Sequence, residues 1–143
     1  MRKTEGIAEK QIREVGLRHT AARAAVLQEL ISADAPLSHA ELTGRLKSSG
    51  IDQATIFRNL NDLADAGLLF KIALGDQVWR FEYSDPANPK RKAHSHFLCT
   101  QCGTVACLEE VNLTSATMQR TKKLGHIDEI FLKGKCVTCH IQD

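Results

Sequence analysis

The sequence predicts an α+β fold in two small units: an N-terminal winged helix, that is a helix-turn-helix followed by a β-hairpin wing, and a C-terminal small α/β unit closed by four cysteines. Three observations carry this expectation. Apolar residues recur at helical spacing as far as Gly67, and the pattern then switches to the alternation of a hairpin. Two Cys-x-x-Cys pairs stand 33 residues apart in the last third of the chain. Between these regions, Ser84 to Lys92 combines two prolines with three consecutive bases, the composition of a linker.

The elements follow in order. Ile7, Ile12 and Val15 outline a first helix that stops near Gly16, and Thr20 caps a second in which Val26, Leu27, Leu30 and Ile31 repeat on one face. Asp34, Ala35 and Pro36 break that helix. Ser38 with Glu41 forms a capping-box pattern that opens a third helix through Leu42 and Leu46 to Gly50. Asp52 caps a fourth, which Gly67 ends; Ile56, Leu60 and Leu63 line one face, and Thr55, Arg58, Asn59 and Asp62 lie on others. Leu68 to Leu74, the turn pair Gly75 and Asp76, and Gln77 to Tyr83 read as a hairpin with Trp79, Phe81 and Tyr83 at alternate positions. These assignments put a winged helix at residues 1–83, a hinge at 84–93 and a second unit at 94–143. In the latter a strand begins at Phe97 and Leu98, Thr104 to Leu108 returns, Leu113 to Leu124 is a helix and Ile127 to Lys133 a last strand.

A chain of 143 residues with 43% hydrophobic and 25% charged residues is an ordinary globular composition. Units of roughly 60 to 80 residues have thin cores, so a metal or a partner subunit is expected to help. No stretch approaches the roughly 18 apolar residues of a membrane span, and no apolar run follows the basic start, which reads as a cytoplasmic protein with no membrane partner. The net charge of +2 does not announce a polyanion binder. Its distribution is more informative, with 14 Lys/Arg against 12 Asp/Glu in residues 1–92 and 5 against 5 thereafter.

The strongest chemical signal is Cys99-Thr100-Gln101-Cys102-Gly103 with Cys136-Val137-Thr138-Cys139. Two intervening residues let both thiolates of a tight turn point at one metal, and Zn²⁺ accepts four sulfurs tetrahedrally. Free thiols or a redox pair are the alternative use, and Gly103 and Gly134 suit tight turns beside the pairs. His94 and His96 alternate on an extended segment and so share a face, as ligands of a second metal or as two solvated side chains. Cys107 is open to the same choice between ligand and inert buried thiol; as a ligand, its soft sulfur favours Zn²⁺ over Mn²⁺ or Fe²⁺. Thr55, Arg58 and Asn59 have the side-chain types that read bases in a major groove, while a core helix with a polar back explains the same pattern. A nucleophilic Cys107 with His94 or His96 as base lacks a third orienting group, and the chain is not expected to be an enzyme.

Three segments resemble the ferric uptake regulator (Fur) family: Gly16-Leu17-Arg18-His19-Thr20-Ala21-Ala22-Arg23, Ala54-Thr55-Ile56-Phe57-Arg58-Asn59-Leu60, and His94-Ser95-His96-Phe97-Leu98-Cys99-Thr100-Gln101-Cys102-Gly103. The resemblance implies a metal-responsive repressor, a homodimer whose winged helices straddle palindromic double-stranded operator DNA. It implies structural Zn²⁺ on Cys99, Cys102, Cys136 and Cys139, and a second, regulatory divalent metal on Glu82, His94, His96 and Cys107. For that second metal Zn²⁺ is favoured, with Fe²⁺ or Mn²⁺ as alternatives. Arg18, Thr55, Phe57 and Arg58 fall on DNA-facing positions. The chain departs from the family pattern in four places. Phe57 replaces the usual Tyr, Cys107 the usual Asp or Glu, and Pro36 a frequent His with His39 nearby; the segment between Gly125 and Cys136, with His126 and Asp128, is shortened. A peroxide- or redox-responsive regulator and a zinc-stabilised helix-turn-helix that binds protein are the competing readings.

Overall fold

A computed structural model describes residues 2–87, 95–108 and 111–141. The chain divides into two compact units, residues 1–89 and 90–143.

In the first unit, α1 (Arg2–Glu14) and α2 (Ala21–Ser32) are joined by a turn in which Gly16 takes a left-handed φ of 81°. The Thr20 hydroxyl caps α2 by accepting from the Arg23 N–H at 3.1 Å, as its position in the sequence predicts. The short strand β1 (Leu37–Ser38) leads into α3 (His39–Arg45). Ser38 forms the full capping box with Glu41, each side chain accepting from the other's backbone N–H. After a single 3₁₀ turn at Lys47–Ser49, Asp52 caps α4 (Gln53–Asp65) through the Thr55 N–H at 3.2 Å. The wing is β2 (Leu69–Ala73) against β3 (Trp79–Tyr83), antiparallel, and β1 adds itself to the far side of β3.

The core of this unit joins Ile12 of α1, Val26, Leu27 and Leu30 of α2, Leu42 of α3, Ile56, Leu60 and Leu63 of α4, and Phe81 and Tyr83 of β3. Two details differ from the pattern read in the sequence. Ala8, one turn before Ile12, is the α1 residue that is buried with it, whereas Ile7 is exposed. Of the three alternating aromatics, Phe81 and Tyr83 face the core while Trp79 is 53% exposed, with the Lys71 ammonium 4.4 Å above its ring.

The second unit is a three-stranded sheet of β4 (Ser95–Cys99), β5 (Val105–Leu108) and β6 (Phe131–Gly134), with β4 central. β5 runs antiparallel to β4, but β6 runs parallel to it, the crossover carrying α5 (Ser115–Lys122). Thr114 caps α5 through the Thr117 N–H. A short α6 (Val137–Ile141), absent from the sequence reading, ends the described chain.

Candidate metal centre and nucleic-acid face

The parallel register sets Cys99 opposite Gly134, so the chain leaves β4 and β6 at the same end of the sheet. Both Cys-x-x-Cys turns therefore form side by side. Gly103, with a left-handed φ of 79°, tightens the first turn, and its N–H donates to the Cys99 carbonyl at 3.0 Å. The second is held against the first by the Thr100 N–H, which donates to the Gly134 carbonyl at 2.8 Å. Gly134 lies at the end of β6 and not in a turn, and a Cβ there would make an ordinary contact with the Phe97 ring at 3.4 Å.

The sulfurs of Cys99, Cys102, Cys136 and Cys139 all lie within 4.8 Å of one another, and none of the cysteines is disulfide-bonded. The Cys102 and Cys136 sulfurs are 3.8 Å apart. A tetrahedral Zn²⁺ with Zn–S bonds of about 2.3 Å has S···S edges of about 3.8 Å, whereas a disulfide needs about 2.05 Å. The donor set and its spacing thus fit structural zinc.

The electrostatics of the cluster agree. The backbone N–H groups of Cys102 and Cys136 both point at the Cys99 sulfur, at 3.5 and 3.3 Å, and pull its pKa down to about 6. The Thr104 hydroxyl, 3.1 Å from the Cys102 sulfur, lowers that thiol as well. Cys139 is pushed the other way, to about 12, first by the neighbouring Cys136 sulfur and then by burial. Four thiolates without a cation repel one another; a divalent metal removes the conflict.

Of the residues assigned to a second metal, His96 and Cys107 are direct cross-strand partners on β4 and β5, with ligand atoms within 4.8 Å of each other. His96 is buried and Cys107 half-buried. Glu82 stands half-buried on β3 of the first unit, and His94 lies outside the described residues. His126 and Asp128 are an exposed pair 3.7 Å apart. His39 is occupied elsewhere: its Nε2 is 3.0 Å from the Gln53 carbonyl, and its ring meets that of Phe57 edge-on at 5.8 Å.

The outward side of α4 presents Phe57, which is 56% exposed, and Arg58, with Thr55 half-buried a turn earlier. Arg18 is exposed on the α1–α2 loop. Asn59 departs from expectation. It belongs to the inward side, only 6% exposed, where its side-chain oxygen accepts from Arg23 Nε at 3.2 Å. At about 100° per residue, one step from Arg58 rotates Asn59 off the outward face and against α2. Arg23 was not singled out from the sequence, because an arginine in a helix ordinarily reads as a solvated cation.

Residues 14–132 match the Ferric uptake regulator family model. The peroxide-responsive repressor PerR of Staphylococcus aureus strain Mu50 is 29% identical over 135 residues, covering 90% of this chain and 86% of that protein. The ferric uptake regulator of Vibrio cholerae superposes with a TM-score of 0.69 at 26% identity, covering 90% and 98% of the two chains. A zinc uptake regulator solved with zinc and DNA shares the fold, with a TM-score of 0.61 at 19% identity over 99% of this chain and 95% of that one.

Proposed function

The chain belongs to the ferric uptake regulator family, whose members are transcription regulators and not enzymes, and we propose that it is a metal-dependent repressor that binds a palindromic operator as a homodimer. We assign residues 1–83 to the DNA-binding half, 84–93 to the hinge, of which 88–93 lie outside the described residues, and 94–143 to the dimerising half. The observation that carries this reading is the division of α4: Ile56, Leu60 and Leu63 sit in the core while Phe57 and Arg58 face outward on a winged helix. An outward arginine on such a helix matches guanine bidentately, and an aromatic ring suits the thymine methyl.

Zinc on Cys99, Cys102, Cys136 and Cys139 would supply folding free energy by tying the two turns together. Regulation is assigned to Glu82, His94, His96 and Cys107. The adjacency of His96 and Cys107 supports this, and the thiolate favours Zn²⁺ over Fe²⁺ or Mn²⁺. Metal bound by these residues would bias the two winged helices toward a DNA-competent spacing. Exposed Phe131, Leu132, Met118 and Leu124 on the second unit support association through that unit. Among the described residues no helix is long and apolar enough to cross a membrane.

Elemental analysis before and after mild chelation, with duplex binding at fixed salt and Zn²⁺, Fe²⁺ or Mn²⁺ added back, tests the reading. A retained zinc plus a removable metal that switches DNA binding supports it; metal-indifferent binding refutes it. The identity to PerR carries a second reading, a peroxide response. Protein loaded with Fe²⁺ that loses DNA affinity after hydrogen peroxide, and does not regain it on adding Zn²⁺, would favour that alternative.

A further inference from the structure

We propose that Arg23 is a positioning residue for sequence reading: it locks the Arg18 loop and α4 into one spacing and holds the Asp62 carboxylate away from DNA phosphates. The inference rests on the DNA-binding role proposed above and adds what makes that binding selective.

The guanidinium makes three contacts that no single neighbour could supply. Nη1 donates to the Arg18 carbonyl at 2.7 Å, Nε to the Asn59 side-chain oxygen at 3.2 Å, and Nη2 to Asp62 Oδ2 at 2.8 Å. The Arg23 side chain is only 14% exposed. Its planar fork has fixed donor directions, so three acceptors on two separate segments define one relative placement of those segments. Sliding or rotating α4 against the start of α2 breaks at least one bond.

The held atoms adjoin the side chains that face outward. Arg18 is anchored by its own carbonyl, which fixes the backbone from which its exposed side chain departs. Asn59 follows Arg58 directly and Asp62 lies one turn further on, so the fork grips α4 beside its guanine-reading candidate. Geometric precision of this kind matters because base readout depends on bidentate alignment, whereas phosphate contact tolerates displacement. Asp62 adds a charge argument. Its side chain is 48% exposed, and Arg23 is the cation that neutralises it; without that partner it would face the polyanion as a repelling charge.

The test uses the full-length, zinc-containing protein and a duplex that the wild type selects from a random-sequence pool, with a scrambled duplex of equal composition as control. Arg23→Gln should stay folded at the assay temperature and lose selected-duplex affinity by about tenfold or more, the range that one misplaced base contact costs. Scrambled-duplex affinity should fall less. Adding Asp62→Asn should recover the loss common to both duplexes and leave the selected-to-scrambled ratio depressed. Arg23→Lys, which can pair with Asp62 but cannot form the fork, should also depress the ratio and covers the case in which the glutamine variant does not fold. A folded variant whose ratio stays within about twofold of wild type overturns the inference, as does full restoration of the ratio by Asp62→Asn. A wild-type protein that enriches no sequence sinks instead the DNA-binding reading itself.

Discussion

Cys99→Ser should unfold the second unit and leave the first one standing, because the two are held together by different means. Among the described residues of the second unit, the apolar side chains that are buried are Leu98, Cys99 and Cys139, and α5 buries none. Burial of one leucine is worth about 1.5–3 kcal/mol, while structural zinc contributes an apparent 10–16 kcal/mol or thereabouts in small zinc domains. Metal ligation therefore outweighs the local core several-fold. The first unit has no such dependence, since Ile12, Leu27, Leu42, Ile56, Leu60 and Leu63 form a continuous apolar cluster. Amide hydrogen exchange resolves the two units in one experiment. Cys99→Ser, or zinc removal by a strong chelator, should abolish protection in β4, β5 and β6 while α2 and α4 keep theirs. Persistent protection of β4 to β6 in zinc-free protein would refute the claim that the four thiolates hold this unit together.

Further outcomes follow from the same geometry. His96→Ala should give a folded, zinc-containing dimer that no longer changes its DNA affinity with added metal; loss of the structural zinc on elemental analysis would contradict the separation of the two sites. Arg58→Ala should weaken binding to a selected duplex by about 1–3 kcal/mol per half-site, read by fluorescence anisotropy, with little change in thermal stability because the side chain is exposed. Leu60→Ala, in the buried face of α4, should instead cost about 2–5 kcal/mol of stability in denaturant titration of the first unit. For pH the sign is set by Cys99, whose folded pKa of about 6 lies below its ordinary 9.0. Its contribution is complete above that ordinary value and is lost as pH falls through about 6, and protons compete with metal in the same direction. Cys139, which the Cys136 sulfur and burial raise in the metal-free cluster, must give up its proton on ligation and so adds to the same dependence on pH. Zinc transfer to a chromogenic chelator should accelerate from about pH 8 to about pH 6; a pH-independent rate would refute the thiolate assignment.

The elements of the first unit were legible because their signals are local. Thr20, Ser38 and Asp52 cap the helices they precede, each through a bond to the third residue on, and the hairpin follows from a glycine turn between alternating residues. Strand β1 was not legible, since two residues carry no periodicity and Leu37–Ser38 pair only because β3 is there to receive them. The parallel pairing of β6 with β4 is equally non-local: nothing in Phe131 to Gly134 specifies its direction, which the crossover through α5 decides. In the cysteine cluster, residue type and spacing sufficed to name the four residues whose sulfurs the fold brings within 4.8 Å of one another, whereas the inequality of the thiols depends on which backbone N–H groups point at which sulfur. Asn59 shows the limit most clearly. Its chemistry suits adenine, but one residue of helical rotation carries it from the Arg58 face into the grip of Arg23.

That rotation bears on how a chain with a net charge of only +2 could select a DNA sequence. Non-specific affinity comes from phosphates neutralised by Lys and Arg, and a protein with few spare cations has little of it. Here α4 carries Arg58 together with Asp62 and Asp65, so a purely electrostatic grip on the backbone would be weakened by the helix itself. Arg23 removes one of these carboxylates from the balance and in the same geometry fixes where Arg58 departs from the helix. If the chain binds a two-half-site operator as proposed, then with weak background attraction the free energy of binding would come mainly from alignment of a few side chains with base edges on both half-sites. Alignment of two half-sites is the property that a change in spacing between winged helices would destroy, and it can be lost without unfolding either of them. A metal that biases that spacing by a few kcal/mol would then be sufficient to switch a binder of this kind, whereas a strongly cationic protein would remain on DNA in either state.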